Sequence, residues 1–283
     1  MVNSDSDAIS IAEDHDLRSK QIRELVHEII PFQNSICNID IPKTIVQFWH
    51  DLKNIPEDVQ DCLNSWNKLE KLGFKRILFD NISAREFISK EFDDSYVTAF
   101  DRCYHPAMRC DFFRLCYILK YGGFYVDADE IYQGISLDHL FYDRCLKLQP
   151  LCYDIDSDSM ISPGVFLKKE HYSPKWIYYV NNNPLIAPPL HSIVKLALDR
   201  ATNLLLNSDI GQLEIQSTTG PGNLSASLVR HSIESQNAGN HLDFLIIKDW
   251  ESISHSQWPL SYRNDKRNWR LWNNSDAGET PIF

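Results

Sequence analysis

Two aspartates separated by one residue close the run Tyr121-Gly-Gly-Phe-Tyr-Val-Asp-Ala-Asp129, and no other residues of the chain are better placed for chemistry. In an extended strand successive side chains alternate faces, so Tyr125, Asp127 and Asp129 point one way and Val126 and Ala128 the other. The carboxylates would then stand roughly 6–7 Å apart. That is too far to share one proton tightly, but close enough to hold a divalent cation directly or through water. Hard oxygen ligands suit Mg²⁺ or Mn²⁺, ions that keep positions open for substrate phosphates. Burying like charges without a cation is costly, so the pair asks for a metal.

The preceding residues position that pair. Ala107 to Tyr121 carries apolar residues at helical spacing, and Gly122 and Gly123 supply a left-handed stop. Asp111 and Arg114, three apart, share a face of this helix. They could form a surface ion pair, but the helix is apolar elsewhere, so the polar strip faces something. In open α/β sheets ligands bind at the carboxyl ends of strands, where the aspartates fall.

Strands alternate with helices along the rest of the chain, which points to a mixed, mostly parallel α/β sheet flanked by helices. Residues 1–14 read as a disordered leader, and His15 to Ile30 as an amphipathic helix stopped by Pro31. The expected division is 1–35 for this leader and helix and 36–283 for the main domain. Thr44 to Trp49 reads as the first core strand, with Trp49 suited equally to core or to a ligand platform. A helix over Asp58–Leu72, a strand over Phe74–Phe79 and a helix over Ser83–Phe92, capped by Ser83 with Glu86, follow. Leu137–Phe141 and Cys145–Leu151 are short and mixed, and Ile177–Val180 is a strand running into Asn181-Asn-Asn-Pro184. His191–Asn207 is a helix, Thr218–Gly222 a turn, and Asn223 the cap of a helix over Leu224–Ser235. Phe244–Ile247 is a last strand, and the final ten residues read as a tail.

Composition narrows the classes. With 283 residues and 43% apolar content the chain supports a sizeable core. A net charge of −11 argues against a general nucleic-acid or anionic-membrane binder, and an anionic ligand would need local cations. The seven cysteines include no CxxC pair, as expected of reduced, buried thiols in a cytosolic protein. No secretory signal and no run of the ~20 apolar residues needed for a bilayer span is present. Asp154-Ile-Asp-Ser-Asp158 lacks the glycine and glutamate of a calcium-binding EF-hand loop and reads as a solvated loop. Thr219-Gly-Pro-Gly222 lacks the lysine of a phosphate loop, and no G-x-S-x-G or H-E-x-x-H occurs.

Several blocks together resemble the glycosyltransferases of family 32, which are named for a DxD sugar-binding region. They are Ile41-Pro-Lys-Thr-Ile-Val-Gln-Phe-Trp49, Ser65-Trp66, Arg109-Cys-Asp-Phe-Phe-Arg114 and Leu119 through Asp129. The glucosyltransferase domains of clostridial toxins are similar more distantly. The resemblance implies a GT-A fold, a UDP- or GDP-sugar donor, Mn²⁺ or Mg²⁺, and transfer with retention. It implies that Trp49 stacks on the base and that Asp111 and Arg114 grip the donor sugar. Asp127 would contact ribose or metal-bound water, Asp129 would bind the metal, and Asn183 would lie near the sugar. His255, in His255-Ser-Gln-Trp258, is the candidate third metal ligand.

The acceptor implied is a glycan (as in polysaccharide biosynthesis), a lipid-linked glycan or a protein, in the cytoplasm or, for an effector, after secretion. Peripheral membrane association stays open. Two rivals are a haloacid-dehalogenase type phosphatase, whose strand also ends D-x-D, and a non-catalytic sugar-nucleotide-binding module.

Overall fold

The computed structural model describes residues 4–27 and 39–271. Helices α1 (Ser4–Glu13) and α2 (His15–His27) precede strand β1 (Thr44–Phe48). Helix α3 (Glu57–Ser65) continues as a 3-10 segment to Leu72, and β2 (Lys75–Phe79), α4 (Asn81–Glu91) and α5 (Asp94–Asp101) follow. The long α6 (Pro106–Tyr121) leads into β3 (Gly123–Tyr125) and β4 (Glu130–Tyr132). Then come β5 (Leu146–Asp154), β6 (Ser159–Met160), α7 (Pro163–Phe166) and β7 (Trp176–Ala187). Helices α8 (Ser192–Asn207), α9 (Ile215–Thr218) and α10 (Pro221–Asn237) precede β8 (Phe244–Ile246), α11 (Trp250–Ile253) and β9 (Ser254–Ser256).

Seven strands form one mixed sheet in the order β2-β1-β3-β7-β5-β6, with β8 also pairing β5. β2, β1 and β3 are mutually parallel; β7 opposes β3 and β5, and β8 runs with β5. Five of the seven therefore point one way, β7 and β6 the other. This architecture is consistent with the GT-A fold expected from the sequence. Strand alternation sorts the core. Ile45, Phe124 and Ile186 face Trp66 and Trp250, while Val46, Tyr125 and Leu185 face the cluster built with α6 and α8.

The α6–β3 junction depends on its glycines. Gly122 and Gly123 have φ of +66° and +114°, and a Cβ at either would come within 2.7 Å of Pro189 or 2.8 Å of the Thr44 carbonyl. Local differences from the sequence reading have identifiable causes. Residues 4–13 are helical, not a disordered leader, because the buried Ala8 and Ala12 give α1 a small-residue face against α10. Asp80 caps α4, with Ser83 as its reciprocal capping-box partner rather than the cap itself. Asn223 lies inside α10, where its side chain donates to the Ala197 carbonyl and accepts from Arg200. The strand read as ending at Val180 runs on to Ala187. Asp154–Asp158 forms an exposed hairpin turn between β5 and β6. The six described cysteines are free thiols. Pro31, Cys37, Trp272 and the final ten residues fall outside the described residues. No described helix is long and apolar enough to cross a membrane.

Candidate active site

Helix α6 begins on His105, whose Nδ1 accepts from the Ala107 amide, with Pro106 in the first turn where no amide is needed. One face then carries Asp111 and Arg114 into the interior, under the end of β3. Arg114 is 3% exposed and ion-pairs with Asp111 at 2.9 Å and with Asp127 Oδ1 at 2.8 Å. It also donates to the Asn182 carbonyl at 2.8 Å and lies 4.3 Å over the Tyr125 ring. Burial opposes its charge, but Asp127 and Asp111 hold it protonated. Asp111 accepts from Asn182 Nδ2 at 2.8 Å. Burial pushes its carboxyl up to about 6 despite the pull of Arg114.

The aspartates do not lie on a continuing strand. β3 ends at Tyr125, and Val126 makes one further bond to the Val46 carbonyl. A turn over Ala128–Asp129, closed by the Glu130 amide on the Asp127 carbonyl, redirects the chain into β4, which pairs with β9 instead of the main sheet. The alternation that would point Asp127 and Asp129 the same way is therefore broken, because β4 finds its partner elsewhere. Asp127 accepts from Arg114 and from the Tyr125 hydroxyl at 3.1 Å. Asp129 accepts from the Tyr262 hydroxyl at 2.9 Å and ion-pairs with Arg263. Burial, then the charge of Asp127, raises the Asp129 carboxyl.

A bulge in β7 supplies the rest of the floor. Leu148 pairs with Leu185 and Pro150 with Val180, so the four residues Asn181-Asn-Asn-Pro184 oppose Gln149 alone. Pro184 has no amide for a ladder, and bulges re-aim side chains. Asn181 bonds Gln149, Asn182 bonds Asp111, and Asn183 accepts from the Asp127 amide at 2.9 Å. Asn183 also donates to Glu130 at 3.0 Å. Glu130 is buried, bonded by Ser254 as well, and pushed up to about 8 by burial and then by Asp129.

Trp49, Asp111, Arg114, Asp127, Asp129, Asn183 and His255 all line one cleft of about 560 Å³, within the range of small-molecule sites. Trp49 is largely buried, donates to the Asn54 carbonyl at 3.4 Å and meets Tyr262 edge-on at 5.3 Å. His255 is exposed on β9, opposite Ile131. Among the described residues no three His, Cys, Asp or Glu side chains are grouped to hold a metal, so His255 does not complete such a set. The side-chain hydrogen bonds of Asp127 use Oδ1 and those of Asp129 use Oδ2. One oxygen of each carboxylate has no partner among the described residues. That donor set fits Mg²⁺ or Mn²⁺, which take one or two carboxylates together with phosphate and water.

Residues not anticipated from sequence complete the cleft: Asn182, Glu130, Tyr262 and the arginines 263, 267 and 270. Arg263 stacks at 4.4 Å on Trp258, whose ring also meets Arg270 at 4.7 Å, and Arg270 lies 4.4 Å over Trp269. The alternation of tryptophan and arginine between 258 and 270 was the available signal. Together with Arg114 these arginines face the carboxylates of Asp111, Asp127, Asp129, Glu130 and Glu251 along the same cleft.

Residues 56–143 match the profile of the family described as glycosyltransferase sugar-binding region containing DXD motif. A protein of Acanthamoeba polyphaga mimivirus, described as uncharacterized glycosyltransferase L373, is 29% identical over 92 residues. That segment is 32% of this chain and spans only 36% of the mimivirus protein. The solved structure of the PaToxG glycosyltransferase is similar over 94% of both chains, at 15% identity and a TM-score of 0.47.

Proposed function

We propose that this chain is a metal-dependent glycosyltransferase that moves a sugar, with retention, from a UDP- or GDP-sugar to a glycan, lipid-linked or protein acceptor. One observation carries the reading: buried Asp111 and Arg114 join the partly exposed Asp127 in one network, in a cleft that Asp129 and three arginines also line. The match of residues 56–143 to a DXD sugar-binding region supports it. No lysine lines the cleft among the described residues, which leaves the phosphatase alternative without its phosphate-binding cation.

In this reading Asp111 and Arg114 hold the hydroxyls of the donor sugar, and Arg114 fixes both carboxylates in one geometry. Trp49 faces the base, Asn183 anchors the turn that carries Asp127, and Asp127 reaches ribose or metal-bound water. Asp129 and Asp127 would hold Mn²⁺ or Mg²⁺, with phosphate and water completing its shell. That ion neutralises charge on the departing diphosphate when bound. Arg263, Arg267 and Arg270 add cations on the same side. A screen of UDP- and GDP-sugars by nucleotide release tests the proposal. One donor should turn over with Mn²⁺, and Asp127→Asn/Asp129→Asn should abolish turnover. Unchanged release in that double variant would count against it.

A further inference from the structure

Of the three asparagines in the β7 bulge, Asn182 and Asn183 serve Asp111, Asp127 and Glu130, but Asn181 touches no carboxylate. Its Nδ2 donates to Gln149 Oε1 at 3.1 Å. That bond leaves Gln149 Nε2 and Asn181 Oδ1 with no hydrogen-bond partner among the described residues. Gln149 is only 7% exposed and lines the cleft, so its side-chain amide is held in place and offered to whatever fills it. Tyr179 lies two residues before Asn181 on the same face of β7, while the intervening Val180 is buried in the core. Leu151, the ladder partner of Tyr179, and Ile161 extend this wall, which is uncharged apart from Arg270 near Tyr179.

We propose that Gln149 and Asn181, with Tyr179 beside them, form the acceptor subsite, and that the acceptor is a saccharide. The inference rests on the glycosyltransferase reading above and names the acceptor class. A fixed N–H donor next to a fixed carbonyl acceptor matches two neighbouring sugar hydroxyls, each of which both donates and accepts. A mostly uncharged wall with a tyrosine suits a neutral ring with one apolar face. In the transfer, the acceptor hydroxyl oxygen bonds to the anomeric carbon as the bond from that carbon to the phosphate oxygen breaks. The electron pair leaves with the nucleoside diphosphate, whose phosphate oxygen takes the hydroxyl proton.

The test is saccharide binding followed by saturation-transfer NMR, using the full chain with UDP and Mn²⁺. The probes are methyl glucosides, galactosides and mannosides, with lactose and maltose. At least one should bind, and Gln149→Leu and Asn181→Ser should each weaken it about tenfold, the effect of one lost buried hydrogen bond. The Kd of the UDP-sugar donor should stay within about twofold in both variants. Gln149→Met, close in shape, serves as the second variant should the leucine form fail to fold. Parallel loss of donor binding would assign the amides to the donor and overturn the inference. Transfer to a protein substrate that is insensitive to these variants would overturn it too. If no saccharide binds while donor is still hydrolysed, the subsite is wrong and the glycosyltransferase reading stands. Saccharide binding through the amides with no donor turned over would sink that reading instead.

Discussion

Arg114→Met removes the buried cation that joins buried Asp111 to the partly exposed Asp127. Asp111 and Asp127 lie 2.9 and 2.8 Å from the guanidinium, and the Asn182 carbonyl loses its donor as well. Removing one partner of a buried ion pair costs about 3–5 kcal/mol, here because the Asp111 charge stays buried and unpaired. At roughly 2–4 °C per kcal/mol for a chain of this size, Tm should fall by about 6–20 °C. The loss should also depend on pH. Burial already raises Asp111 to about 6 with Arg114 present, and without the arginine it rises further. A carboxyl raised above its unfolded value contributes stability below that value and loses it as pH climbs through the folded one. The variant should therefore be more nearly normal near pH 5 than near pH 8. Arg114→Lys should rescue little, since a single ammonium cannot span the same acceptors. Thermal melts at the two pH values decide it, and an equal Tm deficit at both would refute the buried-charge account.

Glu130, at about 8 in the fold, should make wild-type stability decline as pH rises from its unfolded value near 4.5 to about 8. Glu130→Gln should flatten that decline in urea titrations, and an unchanged slope would contradict it. Gly123→Ala should lose ~3 kcal/mol or more through its positive φ and the Thr44 carbonyl, whereas Gly73→Ala, with open space around it, should lose only ~1 kcal/mol by urea denaturation. Arg263→Gln should raise Mn²⁺ affinity of the donor-free protein at least about threefold by electron paramagnetic resonance, because a cation no longer competes for Asp129. Weaker binding would assign Arg263 a supporting part instead.

The helix–glycine–strand block was legible because its signals are local: apolar spacing over α6, two glycines that a Cβ would block, and a short apolar strand. Asp111 and Arg114 could be read as a strip facing something for the same reason. What local pattern cannot carry is pairing at a distance. β4 leaves the sheet because β9 lies more than a hundred residues away, and that turn decides where Asp129 points. The bulge at Asn181–Pro184 depends on its register with β5, so the strand was read as ending at Val180, before the asparagines. α1 was hidden because its burial rests on two alanines among acidic residues. Arg263 reaches Asp129 across 134 residues, a contact no window of sequence contains.

The central claim is that Asp127 and Asp129 together receive a divalent ion that also carries a diphosphate. Anomalous diffraction from crystals soaked with Mn²⁺ and a nucleotide-sugar tests it directly. The account predicts a manganese peak between those two carboxylates and the diphosphate, with Arg263 released from Asp129. A peak elsewhere, or Arg263 still paired to Asp129 with donor bound, would contradict it.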